Sequence, residues 1–182
     1  MLLRVSTLWL CAVFLGQALA HSAVQPQIQP SIQPKIVYGY LERVVLLDKQ
    51  VTLKAKLDTG AKSASLYAKH IRHIDINGKP FLQFIVPTKT GDIPFTCAYV
   101  GDVSIKARSG EIAGVRIKKP YIKRPMVNMP VQIGQETRTI RVNLANRKRF
   151  AYPLLLGREA LIAFNGMVDP AQKFTLNHPV KT

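Results

Sequence analysis

The chain has 182 residues and a formal charge of +16, with 26 Lys and Arg against 10 Asp and Glu. That length suits one hydrophobic core and one domain, and two cysteines, Cys11 and Cys97, are too few for a disulfide scaffold. A basic surface favours acidic partners, but runs such as Lys118-Lys119 and Arg147-Lys148-Arg149 are short and dispersed and read as solvated surface, so no nucleic-acid partner is expected.

Residues 1–20 read as a secretory signal peptide. Arg4 supplies the positive region, Leu8 to Leu15 an apolar core, and Ala18-Leu19-Ala20 a small-x-small cleavage site before His21. The apolar run is too short to span a bilayer, although an uncleaved N-terminal anchor is the competing reading. Cys11 lies inside that run, and Trp9-Leu10 before it lacks the small residues of a lipoprotein signal. Cleavage leaves Cys97, expected as a packing thiol in the strand-like Pro94–Val100. The mature chain has no further run of spanning length, so no stable membrane insertion is expected after cleavage.

Residues 21–35 are rich in Pro and Gln and read as an extended tether. A domain is expected over residues 36–176, with a tail at 177–182. Short apolar runs separated by turn residues fill it. Val44–Leu47 and Val51–Leu57 flank Asp48-Lys-Gln; Ile71–Ile76 and Phe81–Val86 flank Asn77-Gly78, a strong hairpin signal. Ile93–Val103 follows Thr90-Gly-Asp, and Ala113, Val115 and Ile117 alternate with polar residues. Met126–Ile133 and Thr139–Leu144 flank Gly134-Gln-Glu. Helical periodicity is confined to two short candidates, Ala61–His70 and Arg158–Phe164. The pattern predicts an all-β barrel or sandwich without internal repeat.

In Val51–Leu57, apolar Val51, Leu53, Ala55 and Leu57 alternate with Thr52, Lys54 and Lys56, and the strand runs into Asp58-Thr59-Gly60-Ala61. A carboxylate is thus delivered at the end of a rigid strand, on a turn open to close approach. Alone, Asp-Thr-Gly is also what an ordinary Asp-led turn contains. Far downstream, however, Leu154-Leu-Leu-Gly157-Arg158 adds an apolar run ending in Gly-Arg before the helix-like Glu159-Ala-Leu161.

The two segments together resemble the single-lobe, retropepsin-like aspartic peptidases. More closely, Ala55–Ala68, Leu154–Leu161 and Val168-Asp-Pro170 resemble a bacterial family historically labelled "ATP-dependent zinc protease" and now grouped with the retropepsins. The likeness runs from about Ile36 to Leu176, with Tyr67 where the family commonly has His. It implies a closed retropepsin-like barrel with one or two short helices, in a periplasmic or secreted enzyme.

The resemblance also supplies a second carboxylate, from the Asp58 of a partner copy in a homodimer. Two carboxylates about 3 Å apart share one proton and titrate as a unit. The ionised member would activate water against a peptide bond while the protonated one donates to the carbonyl oxygen. No cofactor, metal or covalent intermediate enters this scheme. Thr59 would brace the two loops, and Gly60 would admit backbone N–H groups to the carboxylates. Ala61 stands where pepsins often have a serine hydroxyl, which places the working pH nearer neutrality. Gly157 would let Leu154–Leu156 pass close behind the loop, and Arg158 is expected in a structural ion pair. Lys62 is a candidate contact for an acidic substrate or else a solvated lysine, and Ser109 and Gly110 mark a candidate flap or an ordinary turn.

The family's zinc and ATP labels have little basis in these residues. His70-Ile-Arg-His73 has no HExxH glutamate, His21 and His178 lie near the ends, and no phosphate-binding GxxxxGK loop occurs. The leading expectation is an exported, dimeric aspartic endopeptidase acting on a peptide or protein, with an acidic substrate as a candidate. The alternatives are a non-catalytic module that holds a peptide or envelope polymer, and a hydrolase of glutamyl-linked amides. The last follows from the family's association with glutamate ligases.

Overall fold

Along Val51–Leu57 the alternation of the sequence becomes the inside and outside of a curved sheet: Val51, Leu53, Ala55 and Leu57 are buried, while Thr52, Lys54 and Lys56 face solvent. The computed structural model describes residues 34–106 and 121–176. Its strands are β1 (Ile36–Leu46), β2 (Val51–Leu57), β3 (Ala64–Tyr67), β4 (Lys69–Ile76), β5 (Lys79–Thr88), β6 (Gly91–Lys106), β7 (Tyr121–Ile133), β8 (Glu136–Ala145), β9 (Leu154–Leu156) and β10 (Gly166–Lys173), with an α-helix, α1 (Arg158–Ala163), before β10 and a 3-10 turn, Leu47–Lys49, between β1 and β2.

Six strands run in the order β1-β2-β9-β3-β8-β7, and β7 returns to β1 through Val45–Gln132 and Leu46–Val131, closing a barrel. Closure removes the edges an open sheet would expose. The core inside includes Val44, Leu46, Leu57, Leu66, Val127, Met129, Val142, Leu144, Leu154 and Leu156. Each such side chain contributes roughly 2 kcal/mol by leaving water. β10 runs parallel to the first half of β1 outside the ring, and β6, β5 and β4 extend beyond β7 as an antiparallel arm. Phe84 and Phe95 stack at 5.7 Å beneath this arm. Cys97 is buried beside them, and burial, with a smaller effect from Asp48, pushes its thiol up to about 11, so it packs without ionising near neutral pH.

The hairpins follow local turn chemistry. Asn77 and Gly78 both adopt positive φ, 53° and 73°, the geometry that matches the twist of β4 and β5. The all-β expectation holds, and so does the short helix after Gly157. The helix expected over Ala61–His70 does not form. Ala64–Tyr67 is β3, lying between β8 in parallel and β9 in antiparallel pairing, and Lys69 begins β4. Helix propensity in Ala-Ser-Leu yields here to pairing on both sides and to burial of Ala64, Ser65 and Leu66. The alternation at Ala113–Ile117 lies outside the described residues.

Candidate active site

Asp58 is the first residue beyond β2, and its backbone is held before its side chain is. β2 pairs with β9 in parallel register, Ala55 with Leu154 and Leu57 with Leu156, and the Asp58 N–H continues the ladder to the Leu156 carbonyl at 2.9 Å. The chain then turns sharply, with the Ala61 N–H donating to the Asp58 carbonyl at 3.3 Å.

The turn folds back onto the carboxylate. Oδ1 accepts the Gly60 N–H at 3.0 Å and the Ala61 N–H at 3.3 Å. Oδ2 faces the Lys56 Nζ at 3.5 Å. The Asp58 side chain retains 23% of its exposure, so one side of the carboxyl group stays open to water. A side chain on Gly60 would stand 3.2 Å from Oδ1, tight against the group it helps to hold. Thr59 and Lys62 are exposed, and Lys62 Nζ lies 3.9 Å from Glu159 Oε1.

β9 and α1 form the wall behind this loop. Gly157 joins them where a Cβ would meet the Ser63 carbonyl oxygen at 2.6 Å and that of Ala61 at 2.8 Å, so only a hydrogen fits. The first N–H groups of α1, which have no partner within a helix, are satisfied by the loop: Arg158 N–H donates to Ala61 O at 2.8 Å and Glu159 N–H to Lys62 O at 3.0 Å. The Arg158 guanidinium donates to the Thr59 and Gly60 carbonyls, both at 3.3 Å. Among the described residues these carbonyls, not a carboxylate, are its partners, which corrects the expected ion pair. Five donors in a planar fork suit two adjacent carbonyls as well as an acid.

The structure therefore brings Asp58, Thr59, Gly60, Ala61, Lys62 and Gly157 into one loop-and-wall assembly. Ser109 and Gly110, placed by sequence between β6 and β7, lie outside the described residues. Sequence reasoning passed over Lys56 and Asn143. Lys56 stands two residues before Asp58 on an alternating strand, a spacing that puts both side chains on one face. Asn143, buried in β8, donates from Nδ2 to Ser63 Oγ at 3.2 Å and to the Ala64 carbonyl, fixing the chain as it leaves the loop. That contact between residues far apart in the chain leaves no local signal. His73 meets the Tyr99 ring edge-on at 4.9 Å, and among the described residues no three His, Cys, Asp or Glu side chains converge as a metal site.

With the closed barrel and its single Asp-Thr-Gly loop described, the chain can be set beside known proteins. Residues 37–179 match the RimB-like family, described as retropepsin-like aspartic endopeptidase RimB. The chain belongs to this RimB-like family. A solved structure of a Legionella pneumophila protein of unknown function is 52% identical, with a TM-score of 0.68, and covers 79% of this chain and 100% of its own. Two curated proteins named "probable alpha-L-glutamate ligase", from Shewanella halifaxensis and Shewanella pealeana, are each 30% identical over 128 residues, or 68% of this chain. The chain spans about a quarter (26%) of the length of these curated relatives. For the RimB-like chain, the ligase name is thus a property of much longer proteins.

Proposed function

We propose that this RimB-like chain is an exported aspartic endopeptidase that works as a homodimer, with Asp58 from each subunit forming the dyad. The observation that carries the reading is Asp58 itself. It is a partly exposed carboxylate on a rigidly backed loop, with Oδ1 oriented by two backbone N–H groups. A structural turn aspartate needs no such wall of β9, Gly157 and Arg158.

One subunit offers only half of the acid–base machinery. Hydrolysis of an amide by water needs a base to take a proton and an acid to give one to the carbonyl oxygen or leaving nitrogen. A single ionised Asp58 is a base alone. Two related by a two-fold axis differ in protonation because the first charge opposes the second, and so supply both roles. The protonated member donates to the carbonyl oxygen while the ionised member takes a proton from water, whose oxygen bonds to the carbonyl carbon. The tetrahedral intermediate then collapses as the C–N bond breaks and a proton passes to the leaving nitrogen.

The direct test incubates wild type and Asp58→Asn with an unbiased peptide library across pH, alongside sedimentation of both. Cleavage products from the wild-type dimer alone are expected. Equal cleavage by Asp58→Asn, or activity from a strict monomer, would sink the proposal.

A second reading changes the substrate and keeps the dyad: hydrolysis of glutamyl-linked amides. Relatives named as glutamate ligases favour it, as do Lys56 and Lys62 beside the loop. Preferential cleavage of acidic isopeptides, weakened by salt, supports this version; indifference to substrate charge counts against it.

A further inference from the structure

We propose that Ser65 and Asn143 are a specificity-determining pair that takes a carboxamide side chain, that of Gln or Asn, from the peptide cut at Asp58. The inference deepens the endopeptidase reading above and rests on it.

The two residues are neighbours on adjacent strands. Ser65 in β3 pairs with Asn143 in β8, and the same row runs through Leu155 in β9 to Lys56 in β2, and on the other side to Met126 in β7. Ala64, Leu66, Val142 and Leu144 turn into the core, so this row lies on the opposite face of the sheet. Lys56, its Nζ 3.5 Å from Asp58 Oδ2, ties the row to the Asp58 loop. Two residues back along β2 and two strands across put Ser65 roughly 10 Å from Asp58, a reach of about one to three residues of extended peptide.

The polar middle of the row is incomplete. Ser65 is 4% exposed and Asn143 1%, yet Ser65 Oγ and Asn143 Oδ1 have no hydrogen-bond partner among the described residues. Buried oxygens left in this way carry a cost that a bound donor would remove. Asn143 cannot turn its amide round, because Nδ2 donates to the Ala64 carbonyl, which only accepts, and to Ser63 Oγ at 3.2 Å. Oδ1 is therefore held as a free acceptor, beside a Ser65 hydroxyl that can donate as well as accept. Leu155 and Met126 are buried, apolar neighbours at either end. The row descends from half-exposed Lys56 to Asn143, so a side chain enters from the Asp58 end.

One chemical group complements the pair. A primary carboxamide brings an N–H for Asn143 Oδ1 and a carbonyl oxygen for the Ser65 hydroxyl. A carboxylate would set its lone pairs against Oδ1, and an ammonium would bring a charge to buried residues that carry none. A thioether or alkyl chain would leave both oxygens unpaired.

The test compares kcat/KM of wild type, Ser65→Ala and Asn143→Leu on peptides identical except for Gln, Glu or Met at each position flanking the cut. Wild type should favour Gln over both others about tenfold or more at one position. Ser65→Ala and Asn143→Leu should lose that preference and turn toward Met. Equal rates on all three peptides overturn the proposal, as does a Gln preference that survives in Ser65→Ala. That variant removes only an oxygen without a partner, so its urea midpoint should hold or rise even if Asn143→Leu fails to fold. A lowered midpoint with unmoved preference would make the hydroxyl part of the fold, bonded to a buried water, and overturn the proposal. Binding of a peptide library to Asp58→Asn separates the two readings. Enrichment of Gln and Asn there, with no cleavage by wild type, keeps the pair and removes the endopeptidase; cleavage by wild type with no such enrichment does the reverse.

Discussion

Glu42 in β1 and Asp58 at the end of β2 are carboxylates on neighbouring strands of one barrel, and the chain treats them in opposite ways. Glu42 is fully buried, and its Oε1 accepts the Gly39 N–H at 2.8 Å, the Thr175 N–H at 3.0 Å and the Thr175 hydroxyl at 2.6 Å. No cation is among these partners. Oriented donors offset its desolvation and in return fasten the segment after β10 to β1, where the Phe174 N–H also reaches the Leu41 carbonyl at 2.7 Å. Asp58 has its donors in its own turn, a lysine beside it and one side in water. Three donors converge on one oxygen of Glu42 while the other, Oε2, is buried without a partner among the described residues, which makes this carboxylate a fastening of the architecture. Asp58, by contrast, is held by its edge and left open to water.

The contrast breaks if the two residues respond alike to mutation. The largest effect belongs to Asp58→Asn, with peptide hydrolysis falling about a thousandfold or more while denaturant unfolding moves little. Gly157→Ala should do both kinds of damage. Its methyl group meets backbone rather than a yielding side chain, so a loss of about 3 kcal/mol in urea unfolding and a displaced, weakly active Asp58 loop are expected. Glu42→Ala sharpens the comparison from the other side. Removing the acceptor of three donors should cost about 3 kcal/mol of stability. The kcat of the protein that remains folded should stay within about twofold of wild type, since no contact made by Glu42 reaches the Asp58 loop.

The smallest effect is alkaline and lies far from both carboxylates. Burial raises the Cys97 thiol from an ordinary 9.0 to about 11. The unfolded chain ionises this thiol first, so its contribution is intact below pH 9.0 and is lost as pH rises toward 11. Unfolding titrations should show a decline on the order of 2 kcal/mol over that window, and Cys97→Ala should flatten it. The same decline in Cys97→Ala would assign it to other groups, such as Tyr38, whose phenol burial pushes up to about 12.

The line between what the sequence discloses and what it hides follows the range of the interactions. Asn77-Gly78 announces its hairpin because the turn geometry is written in those two residues. The strand before Asp58 is legible from its own alternation, and Gly157-Arg158 from its pairing with the Asp-Thr-Gly motif. β3 is misread because its Ala and Ser carry no strand signal and its extended form is imposed by β8 and β9 from distant parts of the chain. β10 goes unread for a similar reason: Asp169, Pro170 and Gln172 on an exposed edge have no alternation to offer. Glu42 lies just after the irregularity between Gly39 and Leu41 and is buried in β1 beside Leu41, and nothing near it foretells that Thr175 will supply two of its three donors. Lys56 was within reach of sequence reasoning, since spacing alone sets it beside Asp58.

The claim that each chain carries half of a catalytic site is tested most directly by mixing subunits. Inactive Asp58→Ala protein is added to wild type at rising proportions, exchange is allowed to reach equilibrium, and the rate per total protein is recorded. If both Asp58 side chains are required, activity falls as the square of the wild-type fraction, to a quarter when the two are equal. A linear fall, to one half at equal proportions, would mean that one Asp58 suffices and would contradict the shared dyad.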